Sequence, residues 1–167
     1  TVFERLVELT RDRRFLVLDF EPALKLAADN DPAIRLKAVE YLKSEPAFRE
    51  AAIPALVDLY QQESQFNVRI RMLEIFGLTA AFEDLTVPLL IGAVDYPGDA
   101  GLIAIDSLGR LGPKAASAVP RLTLELLRGD ERRATFARSA ISRIGFEAPG
   151  SKAVSAEPMI ELLYSSV

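Results

Sequence analysis

Apolar residues along this chain follow a helical rather than an alternating pattern. In "IRLKAVEYL" (34–42), Ile34, Ala38, Tyr41 and Leu42 fall on one helical face, and in "VRIRMLEIF" (68–76) Val68, Met72, Ile75 and Phe76 do the same. Nowhere is the two-residue alternation of a strand sustained. The pattern also repeats. Segments aligned with these two occur as "AGLIAIDSL" (100–108) and "RATFARSAI" (133–141), and their central residues Ala38, Met72, Ala104 and Ala137 lie 34, 32 and 33 residues apart. Between them runs a second series, in which a proline is followed by apolar residues at Pro22, Pro54, Pro88, Pro120 and Pro158, with intervals of 32, 34, 32 and 38. A recurrence of this length is the mark of stacked repeats.

Each unit therefore predicts two helices. The expected helices lie near 1–13 and 22–29, then pair as 32–44 with 52–63, 66–79 with 86–95, 100–111 with 116–129, and 131–145 with 153–165. The prolines are expected in the first turn of the second helices, where the missing N–H costs nothing. Asp31 and Asp130 are expected to cap first helices, and Gly77, Gly112 and Gly145 to close helices in the left-handed conformation. A helix pair of this size cannot bury its apolar face alone. The expectation is an all-α fold, a right-handed α-solenoid of about five stacked helix pairs, in one domain over 1–167 with approximate repeats 1–30, 31–64, 65–98, 99–130 and 131–167. Phe15, Leu16 and Leu18 read as core.

The stretch "GPKAASAVP" (112–120) places Lys114 two residues after Gly112, as a phosphate loop might. Its counterpart "GSKAVSAEP" (150–158) matches it in six of nine positions, so the motif reads as a hinge before a second helix. Pro113 also removes one of the N–H groups that a phosphate cradle needs, and no strand precedes it. The comparison makes "FEAPG" (146–150) an inserted loop that lengthens the last interval, and an irregular spot suited to a specific contact.

These residues resemble the HEAT and HEAT-like repeat family. The resemblance is carried by "DPAIRLKA" (31–38), its variant "NVRIRM" (67–72) and the later Gly-x-x-Ala-x-x-Ala-x-Pro-x-Leu run, and it covers roughly 22–165. The short period is similar to that of bacterial HEAT-like repeats. The resemblance implies helix–turn–helix units whose second helices line a concave, protein-binding face. It also implies that Arg35 and Arg69 join an inter-repeat ladder with turn carboxylates. Gly101 stands at the equivalent place in the next unit, and the unit after that has Ala134, with Arg133 one residue earlier, so the ladder is expected to break near Gly101.

Composition narrows the chemistry. With neither Cys nor His among 167 residues, thiolate catalysis, disulfides, Cys-based zinc sites and the usual general base near neutral pH are excluded. Glu83 and Asp84 are paired carboxylates, yet acids at a helix start more often serve the dipole. "DYPGDAGLIAID" (95–106) has acids at positions 1, 5 and 12 of a calcium loop, but Pro97 and Ala100 sit where a ligand and a glycine are needed. No cofactor or metal is expected. The net charge of −4, the absence of Trp and the lack of a long basic stripe argue against nucleic acid. No run of 18 apolar residues exists to enter a membrane. The chain begins at Thr1 rather than Met, as a piece of a longer polypeptide would.

Charge is unevenly placed. Residues 72–109 carry six acids and no base, whereas 110–143 carry eight bases against three acids. The two stretches either neutralise each other or form separate docking surfaces. The functional expectation is a non-catalytic protein–protein interaction scaffold, with Val57, Gln61, Ile91, Asp95, Arg121 and Arg128 as candidate partner-binding residues. The alternative is an enzyme or accessory domain similar to the bilin-attachment enzymes or DNA-repair glycosylases that share this architecture, or a regulatory module of a larger enzyme.

Overall fold

The computed structural model describes residues 19–128 and 130–145. These residues are helical, with no strand among them. The elements are α1 (Phe20–Leu26), α2 (Pro32–Ser44), α3 (Pro46–Gln62), α4 (Phe66–Phe76), α5 (Glu83–Ala93), α6 (Asp99–Leu111), a 3-10 segment (Gly112–Ala118), α7 (Val119–Arg128) and α8 (Glu131–Ile144). The expected helices near 1–13 and 153–165, the Phe15, Leu16 and Leu18 cluster and the "FEAPG" loop lie outside the described residues. The chain divides into two compact units, Thr1–Met72 and Leu73–Val167, with the boundary inside α4.

In the first unit α1 packs on α2 and α2 on α3. Ala38 and Leu42 of the expected α2 face are buried, as are Ile53 and Leu56 of α3, but Ile34 and Tyr41 are only half-buried and Val39 is buried in their stead, so the face is turned slightly from the expected one. Phe48 joins that seam to α1 through tilted ring contacts at 5.6 Å to Phe20 and 6.2 Å to Tyr41. In the second unit α6 packs on α5 and α8, and α7 on α8, around Leu90, Ile105, Leu108, Leu122 and Ile141. Along α4 the expected face of Val68, Met72, Ile75 and Phe76 is buried throughout.

The caps follow the sequence. The Asp31 carboxylate accepts from the Ala33 N–H at 2.8 Å, and that of Asp130 from the Arg133 N–H at 2.8 Å. Gly145 closes α8 in the expected left-handed conformation at φ 98°, whereas Gly112 follows α6 at φ 60° and ψ −140°, outside that conformation though still one that a Cβ would resist. Gly77 departs from expectation. It does not adopt positive φ, and a Cβ there would lie 2.4 Å from the Ser107 Cβ and 2.6 Å from its Cα. Gly77 therefore serves close helix approach, beside the Ser107 hydroxyl that donates to the Leu73 carbonyl at 3.2 Å.

Two of the prolines differ from expectation, whereas Pro22 and Pro120 lie in the first turns of α1 and α7 as expected. Pro54 lies inside α3 and Pro88 inside α5, because both helices begin earlier than predicted. Pro46 gives α3 a start with no N–H to lose, and Glu83 and Asp84 place negative charge in the first turn of α5. Pro54 and Pro88 are exposed, so the carbonyls one turn before them, at Glu50 and Asp84, can bond to water instead. Ahead of Pro120 the chain forms the 3-10 turn Gly112–Ala118, and α7 begins only at Val119.

Within α5, Gly92 has no heavy atom within 4 Å of the place a Cβ would take, and its φ is not positive. Neither packing nor backbone conformation calls for glycine there. Gly92→Ala is expected to stabilise the chain by about 0.5–1 kcal/mol, the propensity gap between the two residues in a helix interior, read as a higher urea midpoint at unchanged slope.

Candidate functional site

Helix rotation decides which candidate residues can reach a partner. Each residue advances about 100° around a helix, so the position two after each proline points nearly opposite to it. On α3, α5 and α7 those positions, Leu56, Leu90 and Leu122, are fully buried, while Leu24 on α1 is half-buried. The position seven after returns close to the proline direction, and Gln61, Asp95 and Leu127 are exposed. The position three after turns back toward the core. Val57 is only 7 % exposed and Thr123 is buried, while Ile91 is half-buried. Val57 is thus a core residue of α3, and the outward column runs instead through Asp58 and Gly92, four after the proline. Gln61 belongs to the first unit; Ile91, Asp95, Arg121 and Arg128 belong to the second.

Within the second unit the acidic and basic stretches meet. Arg121 donates from Nη2 to Asp95 at 2.6 Å and from Nη1 to Glu125 at 2.8 Å. Arg132 pairs with Asp99 at 2.8 Å, and Asp106 accepts from Arg110 at 2.7 Å and Arg143 at 2.9 Å. Lys114 pairs with Glu83. Burial pushes the Asp106 carboxyl up, but its bonds from Arg143 and Arg110 outweigh this and hold it below the ordinary aspartate value. Neutralisation between the two stretches is what these pairs achieve. Arg128 is exposed and makes no ion pair among the described residues.

Two arginines clamp loops. Arg35 forms a fork on the Glu63 carboxylate, Nε and Nη2 each at 2.7 Å, while its Nη1 donates to the carbonyls of Asp29 at 2.9 Å and Asn30 at 3.1 Å. Glu63 also accepts the Gln65 N–H at 2.8 Å. One guanidinium thereby joins the turn before α2 to the turn after α3. Arg69, which aligns with Arg35 in the sequence, lies over the Tyr60 ring with 4.7 Å to its centroid.

At the third aligned position the expected gap is filled from elsewhere. A Cβ on Gly101 would lie 2.6 Å from Arg133 Nη1, 2.6 Å from the Tyr96 carbonyl oxygen and 2.8 Å from that of Val94. Arg133 enters this space, donating to the carbonyls of Val94 and Tyr96 and to the Glu125 carboxylate. Asn30 precedes Arg35 by the same number of residues as Tyr96 precedes Gly101, so the two guanidiniums share one corresponding carbonyl; the second differs, being Asp29 in one turn and Val94, one place earlier than its counterpart, in the other. Burial raises the Glu125 carboxyl, yet Arg133 and Arg121 together keep it below the ordinary glutamate value. The displaced arginine was visible in the sequence as Gly101 followed one unit later by an arginine out of column, but its destination was not.

Groups that resembled chemistry are occupied. Lys114 sits in the 3-10 turn against Glu83, whose carboxyl that bond holds below its usual range. From Asp99 onward the imagined calcium loop is the helix α6, and its acids Asp95, Asp99 and Asp106 face arginines. Among the described residues no three acids are grouped so as to hold a metal. None of the helices they form is long and apolar enough to cross a membrane. An open depression of about 530 Å³ lies beside the start of α8, lined by Asp130, Glu131, Arg132, Thr135 and Phe136. Three of its polar side chains are engaged: Asp130 caps α8, Arg132 pairs with Asp99, and the Thr135 hydroxyl donates to the Glu131 carbonyl at 2.8 Å. No family model matches the chain, and no curated protein matches it.

Proposed function

We propose that the chain is a right-handed HEAT-like α-solenoid of about five stacked helix pairs, acting as a non-catalytic scaffold that binds a protein through the outward faces of its second helices. The observation that carries this reading is the contrast within corresponding helices. Leu56, Leu90 and Leu122 are constant in type and buried, while the exposed positions differ in chemistry: Asp58 and Gln61 on α3, Leu85 and Gly92 on α5, Leu127 and Arg128 on α7. A repeat holds its inward positions to one size and varies its outward ones to fit a partner. The corresponding clamps of Arg35 and Arg133 support the repeat itself.

The test is affinity capture from the source cell with the chain as bait, beside Asp95→Lys and Arg128→Glu baits. Either substitution is expected to reduce recovery of a specific protein at least tenfold while the unfolding midpoint stays within a few degrees, because exposed charges contribute little to stability. Substrate turnover by the purified chain, or DNA binding with a steep salt dependence, would replace this reading with an enzymatic or nucleic-acid one.

A further inference from the structure

The outward face of α5 is unlike a solvated helix face. Leu85 is 45 % exposed, Pro88 and Gly92 are exposed, and Leu89 is half-buried between them. Spaced i, i+3, i+4 and i+7, these four residues form one apolar strip about 10 Å long at the helical rise per residue. Its ends are acidic, with exposed Asp84 at the start and Asp95, whose side chain is 73 % exposed, beyond the last turn. Lys114, paired with Glu83, also lies near Asp84, and Arg121 binds one oxygen of Asp95 as well as Glu125, so each end keeps only part of its negative charge.

Gly92 adds an independent observation. Nothing in the chain stands within 4 Å of its missing side chain, so the chain itself gains nothing from this weak helix former. On a helix face, a residue without a side chain makes a notch that admits another backbone or an inserted apolar knob. A notch beside Leu85, Pro88 and Leu89 gives the strip the shape of a helix-docking surface.

Resting on the scaffold reading, we infer that the outward face of α5 binds an amphipathic helix of a partner protein, seating its apolar stripe on Leu85, Pro88, Leu89 and Gly92 and its flanking Lys or Arg residues near Asp84 and Asp95. Charge selects this occupant over a second copy of the chain. A two-fold axis through Pro88 and Leu89 would set Leu85 against the other copy's Gly92, which fits in shape. It would also bring Asp84 within a turn of the other copy's Asp95, joining like charges. A basic helix meets Asp84, and the exposed Asp95 carboxylate beyond its bond to Arg121, with opposite charge.

The probe is a displayed library of 20-residue helical peptides with a fixed apolar stripe at i, i+3, i+4 and i+7 and randomised flanks, selected on the full chain. The expected result is enrichment of Lys and Arg at both flanks. The recovered peptides should bind at least tenfold more weakly to Gly92→Gln and to the Asp84→Lys/Asp95→Lys double variant, with circular dichroism and midpoint retained, and equally to Leu127→Gln on α7. No enrichment, acidic or neutral flanks, or full binding to Gly92→Gln would each overturn the assignment. Loss on Leu127→Gln alone would move the site to α7 and leave the scaffold reading intact. A dimer in sedimentation that Gly92→Gln dissociates would assign the face to a second copy.

Discussion

Arg133→Ala is expected to destabilise the chain by about 2–3 kcal/mol, the upper range for hydrogen bonds to a charged group, since its pair with Glu125 is part-buried. The substitution takes a donor from Glu125, which keeps Arg121, and strips the guanidinium from the carbonyls of Val94 and Tyr96. Those carbonyls lie against Gly101, where another side chain cannot replace what is lost, because even a Cβ would stand 2.6 Å from the Tyr96 oxygen. Gly101→Ala should therefore cost roughly 2 kcal/mol despite alanine's better helix propensity, as overpacking against backbone does. Arg133→Lys should recover little, since an ammonium cannot spread its donors over a carboxylate and two carbonyls. The double variant Gly101→Ala/Arg133→Ala is expected to fall short of the sum by more than about 0.5 kcal/mol, because both changes act on one contact. Urea unfolding of the four chains measures this, and simple additivity would show that Gly101 and Arg133 act separately.

The helix order was legible because burial follows a 3.6-residue period that tertiary packing preserves. The face of Val68, Met72, Ile75 and Phe76 is the clearest case, and Asp31 and Asp130 were legible as caps because their bonds are local. Helix starts were less so. A proline is tolerated inside a helix where the carbonyl it frees can meet water, so Pro54 and Pro88 mark exposed positions rather than first turns. Side-chain direction was the other gap. The positions three and four after a proline differ by one residue and about 100° of rotation, enough to put Val57 in the core and Gly92 on the surface. Contacts between distant residues left only partial traces. Opposite charge in neighbouring stretches suggested pairing, but only the fold decides that Arg121 meets Asp95 and that Arg133 reaches Val94.

The Arg35 clamp makes a comparable prediction, with a pH signature of its own. Arg35→Ala is expected to cost about 3–4 kcal/mol, because it leaves the Glu63 carboxylate with a side chain only 2 % exposed and without its counter-charge. The Arg35 hydrogen bonds, aided by the Gln65 N–H, hold the Glu63 carboxyl below its ordinary value despite burial. In the unfolded chain that group returns to a glutamate value of about 4.3. Between the two values the unfolded state binds the extra proton, so stability rises with pH there. The contribution is complete above the unfolded value and is lost as pH falls through the lower folded one. Urea midpoints from pH 7 down to about 3 should fall for the unaltered chain, as carboxylates of depressed pKa take up protons. Glu63→Gln should start from a lower midpoint at pH 7 and fall less on acidification, since its amide has no proton to gain. Arg35→Ala should also fall less, because burial without the guanidinium raises the carboxyl rather than lowering it. If both variants kept the full acid dependence, the fork between Arg35 and Glu63 would contribute nothing to it, and the dependence would belong to Asp106 and Glu125, the other carboxylates held low by arginines.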